Sequence, residues 1–455
     1  MKQTKGRTRL VATLLAAALL AGCGGRSESP KQEEQQPQAL SDLSPVTLRQ
    51  AEYPAYPQRP NSEEDGWEAM SDYHDAVRAL KGDWMGDENR QMLRDFAARS
   101  APLALAGQEG ENALYAPVSL WLALSMAARC ADGNTRAQVL SALGVEDIDV
   151  LREKVPYLWR RLYVDDGASA LILGNSVWLN SNLEGAYVPE TLDALAEDFY
   201  ASAYAVPMGQ RDADEAVTAW IADQTRGLVG GDGPVVETEE DTLALLLSSL
   251  YYKASWEREF DEALTGKDVF TTADGTESRV DFMHRDTNDS FLRTENWQAA
   301  SLELAEGEMT FVLPDEGVSP EELLQDPDFL NRLHHWESWS YGEIEWSVPK
   351  FDVESKLELK DALAALGITD LLDRNRSDLS ALTTLPAFLD KATQLARVKA
   401  DETGVEAAAV TILELKCGGM PVEPEEVCVM DLDRPFLFVL EMEGVPLLIG
   451  VVNRV

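Results

Sequence analysis

Residues 402–411 have the sequence Glu-Thr-Gly-Val-Glu-Ala-Ala-Ala-Val-Thr, and this stretch decides how the whole chain is interpreted. With a period of two, one face is uncharged throughout and every charged side chain of residues 405–416 falls on the other face; the uncharged face consists of Val405, Ala407, Ala409, Thr411, Leu413 and Leu415. Such alternation is typical of a strand with one face against a core. Alanine and glutamate also favour an amphipathic helix, which Gly404 and the nearby β-branched residues oppose only weakly. Periodicity alone leaves helix and strand open.

The same stretch resembles the reactive-loop hinge of the serpins, a family of protease inhibitors in which it reads Glu-x-Gly-Thr-Glu-Ala-Ala-Ala-x-Thr. In that family a protease cuts an exposed loop, and the N-terminal half of the loop inserts as a new strand in a large sheet, carrying the acylated protease with it. A charge on the inserted face would be buried without a partner, so small uncharged side chains suit this movement. Val405 departs from the usual Thr but is uncharged. The resemblance assigns the hinge to Glu402, Gly404, Val405, Glu406, Ala407, Ala408, Ala409 and Thr411.

Further motifs similar to those of serpins follow one another in order between residues 87 and 455. They lie at residues 112–120, 220–227, 251–256, 311–315, 348–351 and 366–370. The resemblance implies an α+β serpin fold with a large mixed or antiparallel central sheet, further sheets and about eight to nine helices. It also implies an exposed reactive loop at residues 402–434, and the pattern after that loop predicts a closing β-hairpin.

The scissile bond is predicted from its distance to the hinge. In serpins the cut falls roughly fourteen residues after the hinge glycine, so that the inserted strand spans the sheet. Counting from Gly404 places the cut between Gly418 and Gly419. The alternative is cleavage between Lys416 and Cys417, which would suit trypsin-like enzymes.

The family also carries a polar cluster beneath the point at which its sheet opens. The matching positions here read Ala116, Ser119, Ser248 and Gln394. This set has less hydrogen-bonding capacity than is usual, although the Gln394 amide supplies both donors and an acceptor. Trp256 and Glu402 match positions near the top of the opening sheet. We therefore expect a sheet-opening region formed by Ser119, Ser248, Trp256 and Gln394.

Two cysteines, Cys417 and Cys428, fall in the predicted loop. A disulfide between them would close a 12-residue segment, which is feasible outside the cytoplasm. With cleavage after Gly418 this bond would tether the inserting strand to the other fragment, whereas cleavage after Lys416 would leave the strand free. One hypothesis is therefore a redox switch whose reduced loop is inhibitory. The alternative is two unpaired, exposed thiols.

The N-terminus has the pattern of an export signal. Basic residues precede a short apolar run at residues 10–20, and Leu20-Ala21-Gly22-Cys23 resembles the bacterial lipobox. The run is too short for a spanning helix. The resemblance implies a lipoprotein signal peptide at residues 1–22, lipidation of Cys23, and an extracytoplasmic protein that is anchored to the cell surface or secreted. The alternative is an ordinary signal peptide with an incidental cysteine.

Composition and helical spacing divide the region that follows. Residues 23–60 are rich in Gln, Glu, Ser and Pro and are predicted to form a flexible tether. Apolar residues at helical spacing predict a helical extension within residues 61–86. The serpin-like domain is then expected to occupy residues 87–455.

The charge balance and the absence of catalytic motifs restrict the function further. A net charge of −41 over 455 residues argues against binding to nucleic acid. It also argues against electrostatic binding to anionic membranes, which leaves a lipid anchor as the means of membrane attachment. No hydrolase, nucleotide-binding or zinc motif of the usual spacing is present in the sequence. We therefore expect no enzyme activity, cofactor or metal, and a monomer that traps a serine or cysteine protease covalently. The competing hypothesis is a non-inhibitory, serpin-fold binding protein at the surface.

Overall fold

Two large β-sheets and the helices packed on them organise the chain. The computed structural model describes residues 44–82, 84–183, 187–230, 233–406 and 426–455, except the side chains of residues 62–64 and 336. Its strands are β1 (Val46–Arg49), β2 (Ala113–Tyr115), β3 (Val164–Asp165), β4 (Ala170–Asn180), β5 (Ala201–Val206), β6 (Ala244–Ser255), β7 (Gly266–Thr271), β8 (Glu277–Arg293), β9 (Trp297–Leu304), β10 (Gly307–Pro314), β11 (Ser340–Pro349), β12 (Phe351–Glu358), β13 (Thr393–Ala400), β14 (Gly404–Val405), β15 (Val427–Asp431), β16 (Phe436–Met442) and β17 (Val445–Val452).

The helices are mostly grouped in the first half of the chain. They are α1 (Ser62–Lys81), α2 (Asp87–Ala104), α3 (Pro117–Cys130), α4 (Gly133–Leu143), α5 (Ile148–Leu162), α6 (Pro189–Asp198), α7 (Arg211–Gln224), α8 (Pro320–Leu324), α9 (Phe329–Leu333) and α10 (Lys360–Ala365). The described residues thus contain ten α-helices, slightly more than the eight to nine expected. Within the residues that the structure describes, none of these helices is long and apolar enough to cross a membrane.

Local sequence explains where the central helices begin and end. Pro117 occupies the first turn of α3, where its fixed φ suits the helix and its missing N–H is not needed. The Asp147 carboxylate accepts the Val150 N–H and caps α5, and Gly144 ends α4 with a φ of 72°. Nearly every side chain of α3 is buried, and the helix contacts both β6 and β17. It therefore forms the core between the two sheets.

The first sheet carries the predicted hinge. Its strand order is β1-β5-β4-β6-β14-β13-β12, with β3 paired to β4. The pairing of β4 with β5 is parallel, and the pairing of β4 with β6 is antiparallel from Ala170↔Lys253 to Leu179↔Ala244. This is the large mixed central sheet that the resemblance implied.

The second sheet has the order β15-β11-β8-β9-β10-β16-β17-β2, with β7 paired to β8. Strands β16 and β17 form an antiparallel hairpin that is entirely buried. Glu443 and Gly444 make its turn with positive φ angles. The predicted closing hairpin is confirmed.

The N-terminal tether prediction is wrong for residues 46–60. Strand β1 pairs with β5 at the edge of the first sheet, and Ala51 and Tyr56 are buried. The Tyr53 ring stacks on Trp159 with 5.1 Å between ring centroids. The aromatic-proline segment at residues 53–57 is visible in the sequence, and it packs on the body of the protein instead of forming part of the tether. The predicted helical extension is present as α1.

The burial of strand β6 differs from what its composition indicates. Residues 242–253 form a nearly continuous apolar run, which is typical of a strand buried on both faces, yet residues 244–250 are only half-buried. Among the described strands, β6 is paired from Ala244 to Lys253 by β4 on one side, and on the other side only at Ala254 and Ser255 by the two residues of β14. The apolar run therefore lies beside an incompletely paired edge.

Candidate hinge and sheet-opening site

Two of the hinge residues, Gly404 and Val405, form a strand between β6 and β13. Gly404 is opposite Ser255 and Val405 is opposite Ala254 in β6, and Val405 is also opposite Ala400 in β13. All of these pairings are antiparallel, and the Val405 side chain is buried. The open choice between helix and strand is decided for Gly404 and Val405 in favour of the strand. The predicted hinge residues Ala407, Ala408, Ala409 and Thr411 lie outside the described residues.

Gly404 is needed because the neighbouring backbone is very close. A Cβ atom at this position would lie 2.3 Å from the carbonyl oxygen of Ala254 and 2.6 Å from the Cα of Ser255. Both distances are far below van der Waals contact, and both atoms belong to the backbone of β6. A glycine therefore allows the hinge to enter between the two strands.

Glu406 ends the described part of the hinge. Its φ of 46° lies in the left-handed region, and its N–H donates to the Lys399 carbonyl at 2.9 Å. The Tyr251 hydroxyl donates to Glu406 Oε1 at 3.0 Å. Burial raises the pKa of Glu406. The hydrogen bond from Tyr251 and the positive charge of nearby Lys253 both lower this pKa, but they offset the effect of burial only partly. Sequence analysis missed Tyr251 as a hinge partner.

Glu402, the first residue of the hinge, is held in place by two side-chain contacts just before β14. Its Oε2 lies 2.6 Å from Lys350 Nζ, and its Oε1 accepts a hydrogen bond from Thr265 at 2.9 Å. Burial disfavours the charged carboxylate, but these two bonds outweigh that effect and hold the pKa of Glu402 below its ordinary value. Lys350 was visible in the family-like motif at residues 348–351, but its role as the partner of Glu402 was not predicted.

Trp256 holds the turn that leads into β14. Its indole Nε1 donates to the Asp401 carbonyl at 2.8 Å, and its backbone N–H donates to the Thr403 carbonyl at 3.0 Å. The ring packs edge-to-face on Phe260. The structure thus places Trp256 and Glu402 together at the end of the sheet where the hinge enters.

The predicted polar cluster forms around the start of α3. The Ser119 hydroxyl donates to the Ser248 carbonyl at 2.8 Å, which joins α3 to β6. The Gln394 amide accepts the Ala116 N–H at 2.8 Å and donates to the Ala116 carbonyl at 3.0 Å, which joins α3 to β13. Both strands that flank β14 are therefore bonded to the same helix end. Sequence analysis did not predict that Gln394 would bond to the Ala116 backbone.

The predicted end of the reactive loop needs correction at Cys428. This residue is buried in β15, opposite Ile344 of β11, and its thiol donates to Gln298 Oε1 at 3.6 Å. Burial raises the pKa of the thiol. Val427, Cys428, Val429 and Met430 alternate between exposed and buried, a strand pattern that was overlooked. Gly418, Gly419, Lys416 and Cys417 lie outside the described residues, as does any pairing of Cys417.

A family model described as "Serpin (serine protease inhibitor)" matches residues 91–455. The chain belongs to the serpin family. The rice protein Serpin-ZXA (Oryza sativa subsp. japonica) is 28% identical over 385 residues, which are 79% of this chain and 95% of the relative. Because serpins interact with target proteases, the hinge is the part of this serpin that bears most directly on function.

Solved serpin structures have the same fold. The native state of the thermophilic serpin tengpin superposes with a TM-score of 0.71, at 23% identity, over 82% of this chain and 95% of tengpin. Human thyroxine-binding globulin superposes with a TM-score of 0.69, at 21% identity, over 80% of this chain and 99% of the globulin. At these identities the likeness is one of fold.

Proposed function

We propose that this serpin is a suicide-substrate inhibitor of a serine or cysteine protease. The observation that carries the proposal is the position of β14 between β6 and β13. The chain there already pairs with both strands, and the residues that follow in the sequence keep the face of Val405 uncharged as far as Leu415. Insertion of the loop would lengthen a strand that has already begun.

The register of β14 predicts how the inserted strand would lie. Continuing the pairing of Val405 with Ala254 places Leu415 opposite Ala244, the first residue of β6. The inserted strand would therefore cover all of β6. Both candidate scissile bonds, after Lys416 or after Gly418, lie just beyond that point. The same register brings Thr411 opposite Ser248, next to the polar cluster.

The chemistry would be supplied by the protease. Its serine hydroxyl or cysteine thiol adds to the carbonyl carbon of Gly418, or of Lys416 in the alternative. The peptide C–N bond then breaks, and the following residue leaves as a protonated amine. An ester or thioester joins enzyme and serpin. Insertion of the strand distorts the acylated enzyme before water can hydrolyse this bond, so the serpin itself contributes no catalytic group and no cofactor.

A protease panel tests the proposal. The mature protein would be incubated with trypsin-like, elastase-like, subtilisin-like and papain-like enzymes, boiled in detergent and separated on a gel, with the released C-terminal peptide weighed. We expect a detergent-stable complex with at least one enzyme, and the peptide mass will identify the bond that is cut. Cleavage without a complex across the panel, also with reductant present, would instead favour a non-inhibitory binding protein, as the fold likeness to thyroxine-binding globulin allows.

We further propose that the protein is a monomer exported as a lipoprotein, with its lipid on Cys23. The proposal rests on the basic N-terminal residues and the lipobox-like sequence at residues 20–23. Expression in a bacterial host should give a detergent-phase protein whose N-terminal peptide carries acyl chains. The Cys23→Ser variant should move to the aqueous phase. Recovery of both forms in the aqueous phase would contradict the anchor.

A further inference from the structure

The outer face of the sheet beside the reactive loop is unusually exposed. We call it the loop-proximal face and define it by Asp286 and Asn288 of β8, Tyr341, Glu343 and Glu345 of β11, and Val427 and Val429 of β15. The strand registers place these residues in rows: Asn288, Glu343 and Val427 in one row, and Asp286, Glu345 and Val429 in the next. Residues directly opposite in a sheet share a face, so the rows form one surface.

The apolar residues of this face have no covering element within the described part of the chain. Val427 is 44% exposed, Val429 is 48% exposed and Tyr341 is 65% exposed. The alternate residues of β15, Cys428 and Met430, are buried. Two adjacent rows with exposed valines and a nearby tyrosine make a continuous patch rather than isolated surface residues. Patches of this kind mark surfaces that bind other macromolecules.

Carboxylates surround the apolar residues. Among the described residues, no ion pair or hydrogen bond involves the side chains of Asp286, Glu343 and Glu345; Asp286 and Glu345 are exposed and Glu343 is half-buried. Arg293 lies at the edge of β15, and its guanidinium donates a hydrogen bond to the Val427 carbonyl at 3.0 Å. A partner that fits this face must carry positive charge.

The backbone of β15 is held rigidly in place. Arg293 donates to the Val427 carbonyl, and the Gln298 amide donates to the Val429 carbonyl while it accepts from the Cys428 thiol. These side chains occupy carbonyls on the free edge of β15, where a further strand would otherwise pair. The exposed face is therefore available for docking without rearrangement of the strand.

The face is continuous with the reactive loop. Strand β15 begins at Val427, directly after the loop segment that the protease must engage. Because only residues 419–426 separate the predicted cut from β15, an enzyme bound at the cut would be held close to this face. A second copy of the chain is a poor occupant, because two faces with the same negative charge would repel each other.

We propose that the loop-proximal face is a docking site for the target protease and selects enzymes whose active-site rim is basic. The inference rests on the proposed inhibitory function and adds the kind of partner. Opposite charges would raise the rate of encounter, and Val427, Val429 and Tyr341 would be buried in the docked complex.

The test compares two triple variants with the same change of charge. The first is Asp286→Asn, Glu343→Gln and Glu345→Gln. The control is Glu68→Gln, Asp72→Asn and Glu109→Gln, which neutralises exposed carboxylates of α1 and of the turn after α2. Each is mixed with the protease that forms a complex in the panel, and with the cationic and anionic isoforms of trypsin. Association rate constants are measured at about 0.01 M and about 1 M salt, where the Debye length is about 30 Å and about 3 Å.

We expect the first variant to lose about tenfold in association rate with a basic enzyme at low salt, and little at high salt. The control should lose much less, and the anionic isoform should not distinguish the two variants. Equal rates for the two variants at low salt, with complexes still formed, would overturn the docking site and leave the inhibitory function intact. Failure of every form to make a complex would instead overturn the inhibitory function, and the docking site with it.

Discussion

A methyl group added at Gly404 tests whether the close approach of β14 to β6 requires a glycine. In Gly404→Ala the new Cβ would press on the backbone of β6 at 2.3 Å from the Ala254 oxygen, so β14 must separate from β6. We expect a loss of about 1–3 kcal/mol in the free energy of unfolding, measured with urea. We also expect faster proteolysis between residues 402 and 406.

The control for this prediction is Gly86→Ala. Gly86 has a φ of −63°, and no heavy atom lies within 4 Å of the position that a Cβ would take, so alanine fits there without strain. Stability equal to that of Gly404→Ala would mean that the close approach at the hinge is not what makes glycine necessary.

Glu441 predicts a specific dependence of stability on pH. It is fully buried opposite Glu308, and burial followed by repulsion from Glu308 raises its pKa to about 8, which Arg94 offsets only partly. His334 Nε2 lies 3.4 Å from Glu441 Oε1, but burial lowers the pKa of His334 to about 3, so this contact joins two neutral groups. The folded state therefore binds a proton that the unfolded state releases above about pH 4.5.

The sign follows from this difference in proton binding. The contribution of Glu441 is complete below about pH 4.5 and is lost as the pH rises toward about 8. Glu441→Gln keeps the shape but does not titrate, so we expect its free energy of unfolding relative to wild type to increase by at least about 1 kcal/mol between pH 5 and pH 8. Urea titrations at both pH values measure this. A difference that does not change with pH would show that Glu441 does not titrate in this range.

At the scale of elements, the N-terminal segment is part of the fold. The Tyr73 hydroxyl of α1 donates to the buried Asp166 carboxylate at 2.8 Å, and Asp166 also accepts the N–H groups of Ala168 and Ser169. Tyr73→Phe removes one donor from a buried charge and should lower the free energy of unfolding by about 1.5–3 kcal/mol in urea titrations.

Tyr157→Phe is the matched control, because the Tyr157 hydroxyl has no hydrogen bond within the described residues. We expect it to change stability by less than about 0.5 kcal/mol. Equal stability of Tyr73→Phe and wild type would indicate that α1 is not firmly docked.

The two elements that sequence analysis misjudged share a physical cause. Strand β1 has only four residues and lies in a polar stretch of the sequence. Its pairing with β5 depends on residues far away in the sequence, which no local pattern reveals. Strand β15 follows a loop rich in Gly and Pro, so its short alternation was assigned to the loop. In both cases the tertiary partner decides the structure, and local composition favoured a flexible segment.

At the scale of the whole molecule, the sequence predicted the serpin architecture because many motifs occur in one order. It also assigned Trp256 and Glu402 to one region and Ser119 and Ser248 to one cluster. In the structure Trp256 bonds to Asp401 and Thr403, which flank Glu402, and Ser119 bonds to the Ser248 carbonyl. The sequence could not predict the bond between Gln394 and the Ala116 backbone, or the Lys350 and Tyr251 contacts, since these depend on packing across sheets. The partial burial of β6 could not be predicted either, because an apolar run does not reveal that one edge of the strand is incompletely paired.

Two neighbouring substitutions, one on each face of the hinge, test whether the loop inserts along β6. If the pairing of Val405 with Ala254 continues, Ala409 would lie opposite Leu250 on the face shared with Val405, whereas Ala408 would lie opposite Tyr251 on the other face. Wild type, Ala408→Glu and Ala409→Glu would each be incubated with one protease that the wild type traps, and complex and cleaved serpin would be quantified by mass spectrometry.

We predict that wild type and Ala408→Glu form the covalent complex and that Ala409→Glu is cleaved without trapping the enzyme, because its carboxylate would be buried unpaired. Equal complex formation by Ala408→Glu and Ala409→Glu would contradict insertion in this register.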